Sequence, residues 1–386
     1  MIGTGLLTLA LVILAAHLGA AALYLARLRQ RAPEQGLIGQ PFVTLLRPVC
    51  GVDAFDAETL RSSFAQDYPQ YEIIFCAPSE ADPAVALVRR LMAEHPGVRA
   101  RLLVGLDRIT TNPKLNNVWK GWQAAAGDWV CMTDSNLLLP PDYLSRVVAA
   151  WGPATGLVSS PPTGTRPMNL GGRLECAFLN SNQALLQHAV ASLGPAFAQG
   201  KTLFFNKPLL EHAGGLRALG ASLAEDVAAT KAIRAMGREV TLTHLPFAQP
   251  IGKRSLAQVW DRQLRWSRVR RDGFAGLFAA EILNGSVVPT LMVTAGLALT
   301  GGDLALIAGF LGLWYLAEVL VAKAAGWPIG PRDVPALLLR DLLIPAIWGA
   351  TFLRRGFEWR GTPMGSEDQG RGRASPAPQA HPVPAE

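Results

Sequence analysis

The apolar positions of this chain fall into three regimes. From Ile2 to about Leu25 they are nearly continuous, with His17 the one polar interruption of note, and the run is long enough to cross a bilayer. Arg27, Arg29 and Arg31 follow it. A cleaved signal peptide wants a basic start and a shorter apolar core, so residues 1–27 are expected to form an uncleaved transmembrane helix. The trailing arginines place the next domain in the cytoplasm.

From Gln40 to about Arg254 the pattern alternates between strand-like and helix-like segments. Strands are expected at Phe42–Val49, Tyr71–Cys76, Arg101–Val104, Trp129–Thr133 and Glu239–His244. Helices are expected at Ala57–Gln66 behind an Asp56 cap, Pro83–Glu94, Lys114–Ala126, Pro208–Gly215 and Ala224–Gly237. Such alternation predicts an α/β domain, assigned to residues 38–254, with a mostly parallel sheet and helices on both faces. Ser255–Arg271 reads as a basic amphipathic helix carrying Trp260 and Trp266, suited to a membrane interface, within an interfacial segment 255–284.

The third regime, residues 285–355, is apolar again: Val287–Leu299, Leu304–Val321 and a weaker Leu337–Leu353 interrupted by Arg340, Asp341 and Pro345. Two spans return the chain to the cytoplasm, whereas a third would put Arg354, Arg355 and Arg360 outside. A re-entrant or interfacial last segment is therefore expected. The tail, residues 365–386, is rich in Gly, Pro, Ala and Ser and reads as disordered.

Composition agrees with a membrane protein that has a soluble middle: half of the 386 residues are hydrophobic and 17% are charged. A net charge of +7 could suggest nucleic acid, but the basic residues cluster beside apolar segments, where they serve as flanks and contacts for an anionic bilayer. No nucleic-acid partner is expected. Cys50, Cys76, Cys131 and Cys176 are widely spaced, and neither they nor the six histidines fall at metal-ligand spacing. Buried free thiols in a reducing compartment are the expectation.

Five stretches carry candidate chemistry. Trp129–Leu144 delivers Asp134 at a strand end, where α/β sheets present ligands, although an acid there can also cap a helix. With Asn136 it could hold a hard divalent cation. Asp82, just before a Pro-started helix, could accept hydrogen bonds from a base or ribose, or cap that helix. In Asn112–Asn117, NPKLNN, Lys114 and Asn117 stand at a helix start suited to an anion. Glu225 and Asp226 are adjacent on a helix, so at most one is expected to point into a given site, where it could act as a base. Arg262 and Arg265 share a helix face beside Trp266 and could clamp phosphate oxygens, or bind headgroups.

Together with their flanks — LLRPVCGVD, FAQDYPQYEIIFC, GLVSSPP, GKTLFF, LEHAGGL, LAEDVAATKAI and RQLRWSRVRR — these stretches resemble the ceramide glucosyltransferases over about Val43 to Arg271. The bacterial branch is also similar to processive glycosyl-diacylglycerol synthases. The resemblance implies a GT-A nucleotide-sugar (Rossmann-like) domain with membrane-spanning helices at both ends. It implies an inverting transfer of glucose from UDP-glucose to a ceramide-like lipid hydroxyl, at the cytoplasmic face of the inner membrane.

By the same resemblance Asp82 belongs with the nucleotide, Asp134 with the metal–diphosphate and Asp226 is the catalytic base. Arg262, Arg265 and Trp266 match the Q/RxxRW motif. The usual DxD reads Asp134-Ser135-Asn136 here, so Mg²⁺ or Mn²⁺ would lean on Asp134, Asn136 and the diphosphate itself. A diacylglycerol or hopanoid-type acceptor is the alternative within enzymes, and a silent nucleotide-sugar-binding membrane protein the alternative outside them.

Overall fold

The computed structural model describes residues 1–31, 39–194, 196–220, 222, 224–353, 357–359 and 362–364. Arg354, Arg355, Arg360 and the tail from Gly365 lie outside these residues.

Helix α1 (Ile2–Arg29) precedes a seven-stranded sheet and docks against it through its last turn. There Arg27 Nε donates to the His244 carbonyl at 2.6 Å. The sheet's first half is β1 (Val43–Pro48), α2 (Asp56–Arg61), β2 (Tyr71–Ala77), α3 (Pro83–Glu94), β3 (Ala100–Val104), α4 (Pro113–Ala124) and β4 (Trp129–Thr133). Then come α5 (Tyr143–Ala149), β5 (Thr155–Ser159), β6 (Pro162–Pro167), α6 (Leu170–Ala177), a π-helical stretch (Phe178–Leu185) and α7 (Leu186–Leu193). The second half closes with β7 (Thr202–Asn206), α8 (Lys207–His212), α9 (Gly215–Leu219), α10 (Glu225–Ala235), β8 (Glu239–Leu242) and β9 (Phe247–Gly252).

Strand order is β3-β2-β1-β4-β7-β5-β8, and β6 pairs β9 separately. All neighbours in the large sheet run parallel except β7, which is antiparallel to both β4 and β5. The predicted mostly parallel sheet is thus present, with β7 the departure. Strand order reverses around β1, so a crevice opens beyond the carboxyl ends of β1 and β4.

Burial on both faces explains the continuous apolar runs. Leu45, Ile73 and Phe204 face one core layer with Val88 and Leu144, while Leu46, Ile74 and Phe205 face the other with Trp122 and Ile233. On that second side, a Cβ at Gly121 would lie 2.4 Å from Leu46 Cδ1, so α4 packs as close as only glycine permits.

Several boundaries differ from expectation. The segment expected at Ala57–Gln66 starts at Asp56 behind Phe55, and a 3₁₀ turn (Ser62–Phe64) replaces its end. Asp56 does not cap it, because its carboxylate accepts from the Asp53 N–H at 2.8 Å instead. Pro208–Gly215 splits into α8 and α9 where Gly214 and Gly215 take positive φ of 94° and 63°. All four cysteines are free thiols, three of them buried and Cys50 exposed.

After Ser255, whose side chain forms a capping box with Gln258, come α11 (Leu256–Gly273), α12 (Ala275–Ala280), α13 (Val287–Thr300), α14 (Ala305–Ala324) and α15 (Val334–Ala350). Among the described residues, two helices are long and apolar enough to cross a membrane, α1 and α14. Ala275–Leu283 and Val287–Thr300 together make a third candidate, bent by 55°. Helix α1 packs along α13 and α14, so the N-terminal and C-terminal apolar segments form one bundle. Helix α15 turns Arg340 and Asp341 inward, where Arg340 pairs with both Asp341 and Glu318 of α14.

Candidate active site

A cavity of about 460 Å³ opens at the carboxyl edge of the sheet. Three local features build its floor. β4 ends and the chain turns, leaving Asp134 at the crevice. Asn112 caps α4 by accepting from the Lys114 and Leu115 N–H groups, with Pro113 in the first turn, and this aims Lys114 inward. The antiparallel register of β4 and β7 sets Thr133 opposite Thr202, which brings the Gly200–Lys201 backbone against Asp134.

Lys114 Nζ donates to Asp134 Oδ1 at 2.7 Å, to Glu225 Oε1 at 2.8 Å and to the Gly200 carbonyl at 2.7 Å. Lys201 Nζ lies 3.0 Å from Asp134 Oδ2 and donates to Asn136 Oδ1 at 2.9 Å. Asp226 accepts from the Gly200 N–H at 2.9 Å and the Val227 N–H at 2.8 Å. A Cβ at Gly200 would stand 2.8 Å from Glu225 Oε1, so the backbone there can approach both acids only because it is glycine.

Charge and burial oppose each other in this cavity. Burial alone would raise the Asp134 carboxyl, but the Lys114 and Lys201 ammonium groups outweigh it and hold it well below the usual carboxylate range. Burial would likewise lower Lys114, and the Asp134 and Glu225 carboxylates push it above its ordinary value instead. Lys201 is lowered, because burial and the neighbouring Arg262 and Lys114 charges outweigh Asp134. Asp226 is raised to about 6, by burial first and then by the Glu225 charge, against the two amide donors and Lys114. A carboxyl placed there is a proton acceptor tuned toward neutral pH.

The wall opposite comes from α11. Arg262, Arg265 and Trp266 line the cavity with Gln183 of the π-helical stretch. Arg262 Nη1 also pairs with the buried Glu175 of α6 at 2.7 Å, which fixes α11 to the helix before the π-helical stretch. Lys114, Asp134, Asn136, Asp226, Arg262, Arg265 and Trp266 are thereby brought together in one cavity.

Asp82 and Asn117 do not line it. Asp82 caps α3 and accepts from the Gly51 N–H through both oxygens, at 2.9 and 3.0 Å. Asn117 ties β1 to β2, donating to the Val49 and Cys76 carbonyls at 3.2 and 2.8 Å. Glu225 and Asp226, expected to diverge, both face the cavity, because they form the first turn of α10 and the cavity wraps that helix end. Lys201 and Glu175 were not foreseen as site residues. The GKTLFF stretch carried Lys201, but its place beside Asp134 depends on β7 inserting antiparallel next to β4, a long-range pairing.

As a cation site, the turn after β4 offers one carboxylate and one amide oxygen. Among the described residues no group of three His, Cys, Asp or Glu gathers to hold a metal ion. Asp134 and Asn136 fit as two ligands of a hard cation, with the others left to diphosphate oxygens and water.

An acid at the switch point of a mostly parallel sheet, faced by cationic side chains, defines the GT-A nucleotide-sugar class. The chain superposes on a mannosyltransferase from Pyrobaculum calidifontis solved with GDP-Man and Mn²⁺, with a TM-score of 0.53 at 20% identity over 87% of this chain and 99% of that one. More particularly, the chain belongs to glycosyl transferase family 21, whose model matches residues 7–371. It is similar to ceramide glucosyltransferase 1 of Caenorhabditis elegans, 27% identical over 264 residues, 68% of this chain and 57% of the relative. A ceramide glucosyltransferase of Komagataella phaffii is 42% identical over 112 residues, 28% of this chain and 22% of that one. The expected ceramide glucosyltransferase family is thus found, and the match spans about half the length of the first of these relatives.

Proposed function

We propose that this chain is an inverting glycosyltransferase that moves glucose from UDP-glucose to the hydroxyl of a ceramide-like membrane lipid. The observation that carries the reading is the pairing of Asp226, an acid tuned toward neutral pH, with the cationic floor and wall of the same cavity. Asp226 would take the acceptor's proton as its oxygen attacks the anomeric carbon. Lys114, Lys201, Arg262 and Arg265 would hold the leaving diphosphate, an electrostatic contribution that grows as the bond breaks. Single displacement by one base inverts the sugar's anomeric configuration.

A divalent cation, Mg²⁺ or Mn²⁺, would be held by Asp134 and Asn136 and would neutralise diphosphate charge. Asp82 and Asn117 would act at one remove, by shaping the loop after β1 against which the nucleoside rests. Helix α11 brings Trp266 to the rim while packing against α15 and α12, so a lipid head can reach Asp226 with its tails left among the apolar helices. Arg27 and Arg29 in the last turn of α1, with Arg31 beyond it, support a cytoplasmic catalytic domain and an inner-membrane anchor.

The test is a membrane assay with labelled UDP-glucose, offering ceramide and diacylglycerol separately and reading lipid products by mass. Hexosylceramide alone is the expected outcome. Mono- and dihexosyl diacylglycerol would move the chain to processive glycolipid synthesis, and donor binding without any lipid product would overturn the ceramide reading.

A further inference from the structure

We propose that Lys201 is the resident counter-cation of this site: its ammonium stands where a divalent ion would meet Asp134 and Asn136, so nucleotide-diphosphate binding persists without metal and metal must compete with it. The inference rests on the glycosyltransferase reading for its ligand.

The geometry points this way from three sides. Backbone pairing places Lys201 next to Asp134, whose N–H donates to the Lys201 carbonyl at 3.1 Å. The side chain then turns back onto the same strand end, and Nζ reaches both oxygens a hard cation would use, Asp134 Oδ2 at 3.0 Å and Asn136 Oδ1 at 2.9 Å. It is no surface lysine, since its side chain is 13% exposed. Lys114 meanwhile engages the other carboxylate oxygen at 2.7 Å, so Asp134 is held by a fixed cation on each side.

A divalent ion entering here gains one carboxylate and one amide, and gives up an existing ion pair to obtain them. Hard cations draw affinity from ligand charge count, so this exchange is a poor one until diphosphate oxygens join. An ammonium on a four-carbon stem has the opposite properties. It is a compact point charge that can shift from Asp134 toward an incoming phosphate oxygen without leaving the cavity.

Two titrations on the full chain in detergent micelles test this. One measures UDP binding in EDTA and in Mn²⁺; the other measures Mn²⁺ binding without nucleotide, by the electron paramagnetic resonance signal of the free ion. Wild type should bind UDP in EDTA within a few-fold of its affinity in Mn²⁺. Lys201→Met should weaken UDP binding in EDTA by about tenfold or more, the loss expected when one charge of a close pair is removed, and Mn²⁺ should restore it. The same variant should bind Mn²⁺ alone more tightly than wild type, and Lys201→Arg should resemble wild type in both.

Loss of wild-type UDP binding in EDTA, or unchanged binding by Lys201→Met in EDTA, would overturn the proposal. If neither protein binds UDP under any condition, the UDP-glucose reading fails instead. The Mn²⁺ titration then decides alone, with equal affinities overturning the role of Lys201.

Discussion

The buried charges around Asp134 and those around Arg340 end differently. Arg340 is 1% exposed and Asp341 is fully buried. Arg340 meets Glu318 through two bonds at 2.8 and 2.9 Å, and Asp341 through its Nε at 2.8 Å. The second Asp341 oxygen accepts from Tyr315 at 2.8 Å and from the Ser286 N–H at 3.0 Å. Every charge there is answered by another side chain of the apolar bundle, which is the condition for keeping ions in such surroundings. In the cavity, by contrast, Asp134 remains 26% exposed and the lysines that hold it also face open space. A closed cluster holds helices together, whereas an open one has charge left to spend on a ligand.

The largest effect that would break this contrast is on transfer. Asp226→Asn should lower glucosyl transfer by about 10²- to 10⁴-fold, the contribution of a positioned base, while UDP binding stays near wild type. Membrane assays paired with UDP titration check it, and wild-type turnover would remove Asp226 from the role of base.

Next comes stability. Arg340→Met leaves Glu318 and Asp341 buried without their counter-ion and should cost about 3–5 kcal/mol of folding free energy, read as a large fall in the thermal midpoint in detergent. Material that remains folded should bind UDP as wild type does. A variant that melts normally but loses transfer would mean that the Arg340 cluster belongs to catalysis after all.

A smaller effect is expected at the cavity wall. Arg265→Lys keeps the charge but loses the planar fork, and should reduce transfer by about tenfold through weaker hold on the diphosphate. Near-normal transfer with weakened binding to anionic vesicles would return this arginine to a headgroup-contacting role.

How far each cluster could be read in advance follows from the range of the interactions. Asp134 and Lys114 were legible because a strand-end acid and an Asn-Pro helix start are local patterns. The alternation from β1 to β4 was legible for the same reason. Residues 155–206 were not, since β7 enters the sheet antiparallel and its neighbours come from distant chain segments. Lys201 and Glu175 were lost with that region. Arg340 and Asp341 could be seen only as interruptions of an apolar run, because Glu318 answers Arg340 from another helix, 22 residues away, and Tyr315 of that same helix and the Ser286 N–H reach Asp341. In the same way, Asp82 and Asn117 stand in motifs that promise ligand contact, yet both Asp82 oxygens accept from the Gly51 N–H, and Asn117 donates to the Val49 and Cys76 carbonyls while accepting from Lys120 Nζ.

The smallest expected effect is a slope of stability with pH, and its sign is fixed by the cavity. Burial and the Glu225 charge raise Asp226 from the ordinary 3.8 to about 6 in the folded chain. Between those values the folded state binds a proton that the unfolded state has released, so stability declines as pH rises. The contribution is fully present below the unfolded value and is gone once pH passes about 6. Asp134 acts in the opposite sense and in a lower window: its lysine-held carboxyl stabilises the fold above the ordinary value, and that stability is lost only as pH falls well below it. Thermal midpoints of wild type and Asp226→Asn, followed from about pH 4.5 to 7.5, should therefore diverge, with wild type losing ground as pH rises. Transfer should show the same proton from the other side, falling about tenfold per unit below pH 6, because the protonated carboxyl cannot accept the acceptor's hydrogen. A constant midpoint difference together with a flat acid limb would mean that Asp226 titrates as an ordinary carboxyl, and the open cluster would then lack the one tuned acid that distinguishes it from the closed one.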